Sequence, residues 1–136
     1  MREILFRGKR VDGGGWVFGD LMQHRCGAVS INEEPERYGY GATEGFPTKV
    51  DPKTVGQFTG LLDKNAKRIF EGDVIRCTDG RLLVGFSLSS ASFGLRKKGW
   101  MFTHYFGEGV GVNEGVVECE VIGSIHDSPE LTEDGK

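Results

Sequence analysis

Residues 50–77, VDPKTVGQFTGLLDKNAKRIFEGDVIRC, hold a capped turn, an apolar strand, a charged hairpin and the start of a further strand in one run. Asp51-Pro52 reads as a helix start, because an Asp side chain accepts from the free first-turn amides and Pro52 has the φ that the first position needs. Gly56 ends that turn after barely one revolution. Gln57-Phe58-Thr59-Gly60-Leu61 alternates and is rich in strand formers, which predicts a short strand. Asp63-Lys64-Asn65-Ala66-Lys67 is polar and turn-prone, a hairpin loop rather than a helix. Ile69-Phe70 resumes the apolar face, Glu71-Gly72-Asp73 turns the chain, and Val74-Ile75-Arg76-Cys77 leads into a barrel-like second half. This run predicts β structure and discloses no reaction.

Towards the N-terminus, Glu3–Arg7 reads as a first strand and Trp16–Asp20 as its returning partner across the turn Val11-Asp12-Gly13-Gly14-Gly15. Trp16 and Phe18 share a face, and are expected to pack across from Ile4 and Phe6. A two-stranded hairpin is marginal alone, so it should dock on the central run. Ala28–Ile31 is a short strand. Asn32–Thr48, with its glutamates, glycines, Tyr38 and Tyr40, reads as a surface loop. Tyr38 and Tyr40 are partner-contact candidates, since loops carry binding sites disproportionately; their plainer role is to anchor the loop on the protein's own surface.

Towards the C-terminus, Asp79-Gly80 marks a tight turn between Asp73–Thr78 and Arg81–Ser87. Phe93–Leu95 and Trp100–Phe106 are the next strands, joined through Arg96-Lys97-Lys98-Gly99. In the second of these, Trp100, Phe102, His104 and Phe106 are expected on one face, and Met101, Thr103 and Tyr105 on the other. Gly107–Gly115 reads as a flexible loop, Val116–Ile125 as a long last strand bulged at Gly123, and Ser128–Leu131 as a single helical turn. The predicted fold is mainly β. An N-terminal β-hairpin and central block pack on a small SH3-like, partly open barrel, with only short helical turns. One domain is expected over 1–136, organised as a hairpin and variable loop (1–51), central block and barrel (52–131), and a frayed tail (132–136).

Composition narrows the function classes. Hydrophobic residues make up 38% and there are 22 glycines but only 4 prolines, which suits a folded, turn-rich β chain. A net charge of −3 argues against a strongly cationic, non-specific nucleic-acid binder, though not against a local basic face. No apolar run approaches the ~18 residues that span a bilayer. The charged start, Arg2, Glu3 and Arg7, predicts no secretion signal, so the expected location is the cytoplasm, with no membrane partner. The 3 cysteines, Cys26, Cys77 and Cys119, lie far apart without a CxxC pair. They are expected to be buried or half-buried thiols in a reducing cytosol rather than metal ligands.

No catalytic constellation emerges. His24, His104 and His126 are the only histidines; His104 reads as a satisfied strand histidine, and His126-Asp127 are strand neighbours that point to opposite faces. Ser87, Ser89, Ser90 and Ser92 lack a nucleophile elbow. Gly107-x-Gly109-x-Gly111 lacks the lysine and helix of a phosphate loop. Glu71-x-Asp73 reads as a turn with two solvated carboxylates. The expectation is no enzyme, no catalytic or metal residue and no cofactor. Two binding readings remain. Arg96, Lys97 and Lys98 with Trp100 and Tyr105 form a basic turn beside an aromatic strand, on which nucleic acid stacks in small barrels; a solvated turn before a core strand is the plainer account. The N-terminal hairpin presents Leu5, Trp16 and Val17 with limited cover, which predicts a homo-oligomer.

Several blocks, taken in order, point to a family. They are Glu3–Arg10, Trp16–Leu21, Val50-Asp51-Pro52, Val55–Leu61, Asp63-Lys64-Asn65, Ile69–Val74 and Val121–Leu131. This set resembles the YopX family of small phage and prophage proteins across residues 2–131. Residues 22–46 and 79–115 depart from the pattern. The resemblance implies a phage accessory protein and supplies no biochemical activity, cofactor or site. The expected function is a non-enzymatic interaction module for an unidentified host or phage macromolecule; the alternative is weak nucleic-acid binding.

Overall fold

The computed structural model describes residues 2–33, 47–78, 80–97 and 101–132. The chain forms two compact units that meet in sequence between Phe58 and Thr59. It is mainly β, and its only helical pieces among the described residues are two 3₁₀ turns, Pro52–Thr54 and Pro129–Thr132.

The N-terminal unit contains β1 (Phe6–Lys9), β2 (Trp16–Gln23), β3 (Val29–Glu33), β4 (Thr48–Val50) and the first residues of β5 (Gly56–Leu62). β2 lies antiparallel between β1 and β3, β4 extends β3, and β5 pairs with β1 through Phe6 and Gln57. Strand alternation sends Val17, Ile31 and Val50 into one core, with Phe6, Leu21, Val29 and Val55 packed around them. Each such fully buried aliphatic side chain contributes roughly 1.5–3 kcal/mol. Gly19 is required by a close approach: a Cβ there would run into the backbone carbonyl of Asn32. Asp51 caps the 3₁₀ turn by accepting from the Lys53 amide at 3.0 Å, as its sequence predicts, and Val55 closes it before Gly56.

The first hairpin differs in register from its reading. β1 begins at Phe6, and Lys9 lies opposite Trp16 while Arg7 lies opposite Phe18. The glycine turn is tight, with the Arg10 amide donating to Gly15 O at 2.9 Å. Trp16 and Phe18 therefore face cations rather than Ile4 and Phe6. The Trp16 ring carries the Arg7 guanidinium at 4.5 Å and the Lys9 ammonium at 5.5 Å. Leu5 and Val17, expected on an open face, are buried, and Phe18 and Met22 are the exposed apolar side chains of β2.

The C-terminal unit holds the end of β5, then β6 (Arg68–Phe70), β7 (Asp73–Cys77), β8 (Gly80–Ser87), β9 (Ser92–Arg96), β10 (His104–Phe106), β11 (Gly109–Val110), β12 (Val112–Asn113), β13 (Val116–Val117) and β14 (Glu120–Ser124). The end of β5 pairs with β6 and, in parallel, with β13, which carries β12. A six-stranded sheet runs β11-β10-β9-β8-β7-β14 and is open, with β11 and β14 at its edges. Ile69, Ile75, Leu82, Val84, Leu95, Val117 and Val121 fill the core beneath it.

Asp63 organises the β5–β6 hairpin. It is 1% exposed, and its carboxylate accepts from the amides of Asn65 and Lys67 at 2.8 Å each and from the Val121 amide at 2.9 Å. Burial pushes its pKa up, but the amides of Val121, Lys67 and Asn65, with the Lys67 charge, outweigh that and hold it below the usual carboxylate value.

Other local readings change. Asp73 is buried, not solvated, and accepts from the Phe70 amide at 2.8 Å, so it closes its turn as a cap. The last strand is two strands with different partners, β13 on β5 and β14 on β7, the latter irregular between Val121 and Gly123. The glycine-rich 107–115 stretch contains β11 and β12 rather than a bare loop. Cys77 and Cys119 are joined as a disulfide across Cα atoms 4.8 Å apart, which corrects the expectation of three free thiols; only Cys26 is free, and it is exposed. The two sulfurs meet because β14 pairs with β7 beside Cys77, a long-range register that spacing does not reveal.

Candidate functional site

The six-stranded sheet has one face on the core and one facing away from it, and cross-strand partners share a face. On β7, β8 and β9 the partners Ile75↔Leu82 and Val84↔Leu95 lie on the core side. The pairs Arg76↔Arg81, Leu83↔Arg96 and Gly85↔Gly94 therefore share the other side, and Tyr105 joins them opposite Gly94. Three arginines from three adjacent strands thus gather at one end of this face. Arg76 is offset by Glu120 of β14, whose carboxylate lies 3.5 Å away.

Gly85 and Gly94 make a flat floor in the middle of the face. A Cβ on Gly94 would stand 2.8 Å from the Phe102 ring and 2.9 Å from the Tyr105 ring, and one on Gly85 3.3 Å from Phe102. The missing side chains leave room for these rings to lie on the sheet. Phe102 and Tyr105 stack with centroids 6.1 Å apart and planes 23° from parallel. The Arg96 guanidinium sits 5.3 Å from the Phe102 ring. Its Nε is buried and has no hydrogen-bond partner.

A hydroxyl cluster closes the far end. Ser87 is buried, and its Oγ lies 3.2 Å from Ser89 Oγ and 3.4 Å from the Tyr105 hydroxyl. Ser90 Oγ donates to the Tyr105 oxygen at 2.9 Å. The Ser87 and then the Ser90 hydroxyls hold the Tyr105 phenol below the ordinary tyrosine pKa.

Of the residues singled out in the sequence, Arg96 and Tyr105 come together here, bridged by Phe102. Lys97 is exposed just beyond the end of β9. Lys98, Trp100, Tyr38 and Tyr40 lie outside the described residues. Phe102 was expected on the face opposite Tyr105, but regular alternation starts only at His104, so Phe102 turns back to stack on Tyr105. Arg76, Arg81 and the glycine floor are the members that sequence reading missed. Their signal is the glycine at equivalent depth in two neighbouring strands, visible only once β8 and β9 are in register.

The histidines have structural partners. His24 Nε2 lies 3.2 Å from Ser30 Oγ, and His104 Nδ1 lies 2.8 Å from Thr103 Oγ1. Among the described residues no group of three or more His, Cys, Asp or Glu side chains is arranged to hold a metal ion. No described helix is long and apolar enough to cross a membrane.

Among solved structures the chain is similar to the crystal structure of protein EF1440 from Enterococcus faecalis, with 18% identity, a TM-score of 0.56, and coverage of 98% of this chain and 100% of that one. At that identity the likeness concerns the fold alone. No curated protein matches the chain. The family model described as "YopX protein" matches residues 5–133.

Proposed function

The chain belongs to the YopX family, and from that premise we propose that it is a phage or prophage accessory protein, a non-enzymatic interaction module that binds a macromolecule through the arginine–aromatic face of its six-stranded sheet. The observation that supports this is the direct opposition of Arg76 and Arg81 beside Arg96. Like charges opposite each other weaken a sheet. Even with Glu120 3.5 Å from Arg76, three arginines held on one face make a locally cationic surface suited to an anionic partner.

Self-association belongs to the same proposal and rests on a different surface. Phe18 and Met22 of β2 are 40% and 41% exposed on one face of a small sheet, and aromatic and Met side chains suit interface centres. The proposed location is the bacterial cytoplasm.

Affinity capture from a bacterial lysate tests the module, with and without nuclease, for the wild type beside an Arg76→Gln/Arg81→Gln variant and a Lys53→Gln control. A partner held by the wild type and control but lost by the face variant supports the reading. Identical partner sets for all three proteins contradict it.

A further inference from the structure

We infer that the occupant of this face is a single strand of nucleic acid, with its phosphates along Arg76, Arg81 and Arg96 and a base against the Phe102–Tyr105 pair. The inference rests on the reading of that face as the binding surface, and names its partner.

Charge comes first. Arg76, Arg81 and Arg96 stand on three adjacent strands of one face. Two inter-strand steps of about 4.8 Å place them across about 10 Å. The Arg76 side chain is 61% exposed, open to a phosphate even while Glu120 lies 3.5 Å away. Arginine suits this task because its planar fork matches phosphate oxygens and stacks on rings.

Shape comes second. The stacked, half-buried rings of Phe102 and Tyr105 lie beside the arginines on a floor of two glycines. Base–aromatic stacking needs an unpaired base with a free π-face. A duplex hides those faces, and reading its major groove takes a helix or a two-stranded ribbon inserted into the groove. Arg76, Arg81 and Arg96 stand on β7, β8 and β9, inner strands of the six-stranded sheet, which offers a broad face rather than a helix or a free two-stranded ribbon. Beyond the rings, Ser89 and Ser90 are exposed and offer hydroxyls to a sugar or a further phosphate. The net charge of −3 confines attraction to this patch, so the binding is local and strongly salt-dependent.

The test uses the full chain and a fluorescein-labelled oligothymidylate about 16 nucleotides long, the upper end of single-domain site sizes. Anisotropy is read over a salt series, with the matching duplex as a second probe. The wild type is expected to bind the single strand more tightly than the duplex. Arg76→Gln and Arg81→Gln are each expected to flatten the slope of log K against log salt by about 0.7. Phe102→Leu keeps an apolar cover but removes the π-face, and is expected to weaken binding about tenfold at an unchanged slope. Thermal melts establish that each variant is folded. No anisotropy change at low salt, or affinities that none of the variants alters, overturns the inference. If anisotropy stays flat while lysate capture still loses a nuclease-resistant partner with Arg76→Gln/Arg81→Gln, the binding face stands and the nucleic acid falls. If neither assay responds to the variants, both fall.

Discussion

The carboxylate of Asp63 accepts the backbone amide of Val121 at 2.9 Å, joining residues 58 positions apart inside the C-terminal unit. The same carboxylate holds the Asn65 and Lys67 amides of its own hairpin. One side chain thus sets the β5–β6 turn and anchors the start of β14. Replacing it orphans three amides in one stroke. Asp63→Ala is expected to destabilise the fold by about 3 kcal/mol or more, and Asp63→Asn by less, because one oxygen still accepts. Urea melts of the two variants check the ranking.

Acid should act through the same residue. Its folded pKa lies below its unfolded value, so the carboxylate's contribution is present above the unfolded pKa of about 3.9 and is lost as pH falls through the folded value. Stability measured from neutral pH down to strongly acidic pH is expected to fall less in Asp63→Asn than in the wild type. Parallel curves would contradict the assignment.

The bond between Cys77 and Cys119 spans a sequence separation of 42. Closing a loop of that size removes about 4 kcal/mol of unfolded-chain entropy in the loop-closure model. Cys77→Ala/Cys119→Ala is therefore expected to lower the melting temperature by roughly 10–20 °C, and a reductant to lower that of the wild type alike. Thiol alkylation in rapidly acid-quenched cells reads the bond's state where the protein is made. A bonded pair there contradicts a reducing cytosol as the protein's home, since such bonds are rare in that compartment.

Gly94→Ala tests the floor beneath the rings. The new methyl would sit 2.8 Å from Phe102 and 2.9 Å from Tyr105, close enough that both must move. A cost of about 1–3 kcal/mol is expected from overpacking, together with a change in the near-ultraviolet dichroism of the stacked pair. An unchanged spectrum would show that the rings do not rest there.

Tyr105 offers a titration. With Ser87 and Ser90 hydroxyls against its oxygen, its phenol ionises below the ordinary tyrosine value. Ser90→Ala is expected to move that ionisation up towards about 10. Spectrophotometric titration, with Tyr105→Phe identifying the transition, checks it.

Local chemistry was legible in the sequence. Asp51-Pro52 gave its own cap, the 63–67 run its hairpin, and the 73–87 run its strand pair, because in each the partners lie within a few residues. The family blocks were legible for the same reason, being contiguous. What escaped depends on register between strands far apart in sequence. The opposition of Arg76 to Arg81 and of Gly85 to Gly94 needs the β7–β8–β9 alignment, and the disulfide needs β14 beside β7. Phe102 escaped because a period-2 pattern was extended past the point where pairing stops. Asp73 escaped because a carboxylate in a turn looks the same in sequence whether it faces water or caps an amide.

The disulfide carries a further consequence, in how the chain comes apart when it is cut. Cys77 and Cys119 bracket all the strands from β8 to β13. A protease that nicks anywhere between 78 and 118 opens a ring instead of severing a chain, so both fragments stay tethered. Such a cleavage is silent on a non-reducing gel and shows two pieces only after reduction. A single cut before Cys77 or after Cys119 releases its fragment under either condition, so the pair of gels sorts accessible backbone into the part inside the ring and the part outside it.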